Sequence, residues 1–155
     1  MRYMLACLFL LAPTFASAQT IAPRDGWVVI ATTKSYDQLV EDVLAATTAN
    51  KMGVVTQAGP TGAAAARGIT IPGNRVIGVF NNDFAVKILG LSTAAMIEAP
   101  IRFYVTEGDG GQATLAWKEP SHVFAPYMDE GGDALSDLAA QLDDRFTAIA
   151  DMAVK

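Results

Sequence analysis

The chain has 155 residues and a formal charge of −5, with 11 Lys and Arg against 16 Asp and Glu, and its cations are nowhere clustered. Nucleic-acid binding needs grouped cations that neutralise phosphates, and adhesion to anionic lipid needs a polybasic surface, so both are excluded as expectations. One cysteine and one histidine supply neither a disulfide framework nor a thiolate or multi-histidine metal centre, so no metal and no cofactor are expected.

Residues 1–18, MRYMLACLFLLAPTFASA, read as a secretory signal peptide. Arg2 is the positive start, Met4 to Leu11 the apolar run, and Ala16-Ser17-Ala18 the small-residue cleavage site. The run is too short to span a bilayer. Cys7 stands at the start of the run rather than after it, which argues against lipid attachment. Cleavage after Ala18 removes the only cysteine and leaves Gln19 first. The loss of Arg2 takes the charge from −5 to about −6. The expectation is a soluble periplasmic protein with no membrane attachment after cleavage: residues 19–26 a short lead, 27–155 one α+β domain.

WVVIAT, from Trp27, has the β-branched and aromatic content of a strand. SYDQLVEDVLAATTANKMG predicts a helix. Ser35 is its N-cap, with Gln38 completing a capping box, Leu39, Val40, Val43 and Leu44 on one face, and Gly53 as C-cap. VVTQ is a second strand. GPTGAAAARG predicts a short helix stopped by Gly68, and RVIGVF an interior strand, since it is apolar on both sides. NNDFAVKILGL predicts a helix capped by Asn81 or Asn82, with Phe84, Ile88 and Leu91 buried. Pro100 interrupts the chain. IRFYVTE and QATLAWK then alternate about a GDGG hairpin turn, with Ile101, Phe103 and Val105 on the same side as Ala113, Leu115 and Trp117. Leu135, Leu138, Leu142, Phe146, Ile149 and Ala153 mark a long terminal helix that Asp133 can cap. The order β-α-β-(α)-β-α-β-β-α predicts a two-layer α+β sandwich with helices packed on one mixed sheet.

Two runs, AAAARGITIPGNRVIGVFNNDFAVKIL and APIRFYVTEGDGGQATLAWKEPSHVF, resemble the family catalogued as domain of unknown function 302. Gly68, Phe80, Asn81, Pro100, Asp109, Gly110 and Pro120 stand at the family's turn and strand-end positions. The resemblance runs from about Trp27 to Ala153 and implies a compact α+β sandwich; it implies no activity. Many members carry an Asp-His pair before the alanine-rich turn. Gly59 and Pro60 stand there in this chain, so any chemistry of that histidine is missing. The family's Gly-Asn-Pro after the apolar strand is replaced by Asn81, Asn82 and Asp83.

Three places are candidates for chemistry. His122, in WKEPSHVFAPY, is a candidate general base with Glu119 or Asp83, as in a small hydrolase or isomerase. A packing histidine is the plainer reading. Asn81 and Asn82 stand where a strand meets a helix N-terminus, whose free N–H groups hold anions; ordinary capping is the alternative. Arg102, Tyr104, Thr106, Thr114 and Lys118 share the second face of the hairpin, a positive and aromatic patch on an acidic protein. That patch suits a small anionic ligand or a protein partner, including a second copy of the chain. No G-x-S-x-G elbow, phosphate loop or calcium loop is present, and the methionines are too scattered for a copper site. The leading expectation is therefore a non-enzymatic binding domain. An enzyme using His122 and a structural or dimerising module are the alternatives.

Overall fold

A computed structural model describes residues 21–155; the signal segment expected at 1–18 lies outside them. Five strands, β1 (Trp27–Ser35), β2 (Gly53–Ala58), β3 (Asn74–Phe80), β4 (Ile101–Glu107) and β5 (Gln112–Lys118), form one sheet in the order β1-β5-β4-β3-β2. The helices are α1 (Tyr36–Ala49), α2 (Thr61–Ala65), α3 (Asn82–Leu91), α4 (Pro120–Phe124) and α5 (Met128–Ala153). The architecture is the expected α+β arrangement of helices on one sheet, in the expected element order.

The sheet is antiparallel at every pairing, not mixed. The pairings make β1 and β2 run in the same direction, but they occupy opposite edges with three strands between them. The α1 crossover that joins them therefore spans the whole sheet, and no parallel neighbours result.

The two faces differ because side chains alternate along each strand. Ile77 and Val79 of β3, Ile101, Phe103 and Val105 of β4, and Ala113, Leu115 and Trp117 of β5 are buried on one face. Against them pack Leu39, Val40 and Val43 of α1, Ile88 of α3, and Leu135, Leu138, Leu142, Phe146 and Ile149 of α5. The Phe103 ring stacks on Phe146 at 4.6 Å and meets the edge of Trp117 at 5.4 Å. These three rings tie the centre of the sheet to α5.

The helix ends follow their local sequence signals at the start of α1 and depart from them at its end and at the start of α5. Ser35 caps α1 by accepting from Gln38 N–H. The side chain of Gln38, however, donates to Asp42 rather than returning to the cap. Gly53 is not the C-cap. The helix closes at Asn50, and Lys51 takes the left-handed conformation at φ 59° before Gly53 opens β2. The last helix starts at Met128, five residues before Asp133, and breaks at Gly132, where φ 54° and ψ −150° are accessible only to glycine. Asp133 thus opens the straight arm of α5 rather than the whole helix.

Candidate ligand-binding face

The sheet face turned away from α1, α3 and α5 is built in rows by the strand register. Trp27 of β1 pairs with Lys118 of β5. Phe103 pairs with Trp117, so Arg102 stands beside Lys118 on the next rung, and Arg102 in turn pairs with Gly78 of β3. The second row is Val29, Ala116, Tyr104 and Val76, and the third Ala31, Thr114, Thr106 and Asn74. A cationic row thus lies beside an apolar one. Nothing local in the sequence brings Trp27 to Lys118; the antiparallel pairing of the first and fifth strands does so.

A hollow of about 490 Å³ opens on this face, lined by Trp27, Asn74, Val76, Arg102, Tyr104, Lys118 and Val123, among others. Arg102 and Lys118 are exposed at its rim, while Trp27, Val76 and Tyr104 are half-buried. The Arg24 guanidinium lies 5.1 Å from the centre of the Trp27 ring and the Lys118 ammonium 5.7 Å from it. Both are within the range at which the ring's quadrupole attracts a cation. Asn74 Nδ2 donates to the Tyr104 hydroxyl oxygen. Among the described residues, no acceptor takes that hydroxyl's own proton. A second hollow of about 680 Å³, whose walls include Ile21, Arg24, Pro72 and Glu107, shares Asn74 and Tyr104 with the first. The pair forms a polar ridge between the two.

Of the residues singled out from sequence, Arg102, Tyr104 and Lys118 meet in the first hollow. Thr106 lines the second, and Thr114 is buried in the sheet. Asn81 and Asn82 lie elsewhere. Asn81 caps α3 by accepting from the N–H groups of Asp83 (2.9 Å) and Phe84 (3.2 Å), and its amide donates to the Lys51 carbonyl (3.0 Å). Its hydrogen-bonding groups are engaged within the fold, as ordinary capping requires. It borders a separate hollow of about 240 Å³ with Lys51, Asp83, Lys87 and Arg145. Asn82 is exposed and lines neither that hollow nor the one at Arg102.

His122 is exposed on α4, its ring packed directly over the backbone of Gly26. Gly26 has φ 69° and its carbonyl accepts from Glu119 N–H at 2.9 Å. Lys34–Asp42 is the one ion pair within 4.0 Å among the described residues, so neither Glu119 nor Asp83 orients the imidazole. The ring holds the start of β1 against α4. Sequence reasoning missed Trp27, Arg24, Asn74 and Val76. Residues 27–30, WVVI, are apolar at every position, so the sequence held no alternation to separate the first strand's two faces.

The family described as Domain of unknown function DUF302 matches residues 28–153, and the chain belongs to it. The fold is similar to that in the crystal structure of an uncharacterized conserved DUF302 protein from Bacillus stearothermophilus. The TM-score is 0.73 at 16% identity, over 85% of this chain and 100% of that one. No curated protein matches the chain.

Proposed function

We propose that this protein is an exported, non-enzymatic binding domain that holds a small anionic ligand on the open face of its sheet. The observation that carries this reading is the meeting of Arg102 and Lys118 at the rim of the 490 Å³ hollow, with Arg24 over its Trp27 wall. The chain as a whole carries −5, and among the described residues none of these three cations is paired with a carboxylate. The hollow has the size of small-molecule sites, about 300–1,000 Å³. An enzymatic reading through His122 has less support, because among the described residues no carboxylate lies within 4.0 Å of that ring and it borders none of the hollows described above.

The test is native mass spectrometry of the protein recovered from the periplasm. The expected spectrum shows a chain beginning at Gln19 with an additional bound mass that Arg102→Gln removes. A chain that retains residues 1–18 contradicts the export reading. An unliganded dimer that Arg102→Gln dissociates contradicts the ligand reading and gives the face to a second copy of the chain.

A further inference from the structure

The walls of the hollow say more than that an anion fits. Apart from its two rim cations, most of the side chains that line it from the open face are apolar or aromatic: Trp27, Val76, Tyr104 and Val123. A hydrophilic anion such as phosphate would leave these surfaces wet and gain nothing from them, whereas an apolar body would remove them from water. The Tyr104 hydroxyl accepts from Asn74 and retains its own proton to donate, so the polar ridge offers a ligand oxygen a neutral donor on the side away from Lys118. Resting on the anion reading, we infer that the ligand is an amphipathic carboxylate. Its apolar ring or short chain lies over the neighbouring Val76 and Tyr104, and its carboxylate lies at Arg102 and Lys118. A planar carboxylate also matches the fork of the Arg102 guanidinium, which a spherical anion uses less well.

Isothermal titration of the exported protein with 2-naphthoate, 2-naphthamide, acetate and inorganic phosphate separates the two layers of the claim. The expected result is that 2-naphthoate binds at least about tenfold more tightly than acetate or phosphate, and about tenfold more tightly than the uncharged amide. Val76→Thr, close in volume but carrying a hydroxyl into the apolar wall, weakens 2-naphthoate several-fold and leaves acetate unchanged. Circular dichroism confirms that this variant is folded. If acetate or phosphate binds as tightly as 2-naphthoate and Arg102→Gln weakens all of them, the apolar body is wrong and the anion reading stands. If 2-naphthamide equals 2-naphthoate, the anion reading itself is wrong. If no probe binds at millimolar concentration, both fall.

Discussion

The cations of the open face add almost nothing to folding and take almost nothing from it. Arg102 and Lys118 are exposed and pair with no carboxylate among the described residues. Arg102→Gln should therefore change stability by no more than about 0.5 kcal/mol while abolishing ligand binding; chemical denaturation beside titration checks both halves. Gly26 is the opposite case. At φ 69° it is in the left-handed region, and a Cβ there would run into the His122 ring. Gly26→Ala should cost about 1–3 kcal/mol. The double variant with His122→Ala should recover the steric part but not the backbone part, so its loss by urea denaturation should be intermediate. Asp42 supplies a pH signature. The Lys34 hydrogen bond, at 2.6 Å, outweighs partial burial and, with Gln38, holds its carboxyl below the ordinary 3.8. A native value below the unfolded one gives stability that is present above about pH 4 and lost as pH falls through the native value. Asp42→Asn should accordingly narrow the stability difference between neutral and acidic pH, read from denaturation curves across that range. Individual side chains were legible where the strand pattern was clean, as for Arg102, Tyr104 and Lys118. Trp27 was not, because its role depends on a partner strand more than eighty residues away.

Caps and turns decide the helices. Asn81 makes two hydrogen bonds to the first turn of α3 and one to Lys51, so Asn81→Ala should destabilise by about 1–2 kcal/mol. Binding at Arg102 should be unaffected, because Asn81 lines a different hollow; a titration of the variant settles that independence. Lys51, a lysine held at φ 59° between α1 and β2, carries backbone strain that glycine would relieve. Lys51→Gly should leave stability unchanged or raise it by up to about 1 kcal/mol, since the relief is offset by the greater freedom of glycine in the unfolded chain. Thermal unfolding is the check. The same position explains why the end of α1 was misread. Glycine is the usual residue after a helix, and Gly53 stands close enough to attract that role, but the chain turns two residues earlier on a residue without the usual signature. The Asn81 cap and the hairpin were legible because each is a local pattern.

At the scale of the whole molecule, element order followed from the sequence but strand order did not. Alternating strands and helices suggested at least one parallel pair, since a βαβ unit commonly brings its two strands together. Here α1 carries the chain across the full sheet, and β5 returns beside β1. That single long-range pairing makes the open face, because it sets Trp27 beside Lys118 and extends the hairpin's polar side by a strand. The proposed binding depends on this face more than on any one residue. Amide chemical-shift mapping during titration with 2-naphthoate tests it most directly. Shifts concentrated at Trp27, Val76, Arg102, Tyr104 and Lys118 are predicted. Shifts at Lys51, Lys87 and Arg145 instead, around the Asn81 hollow, would contradict it.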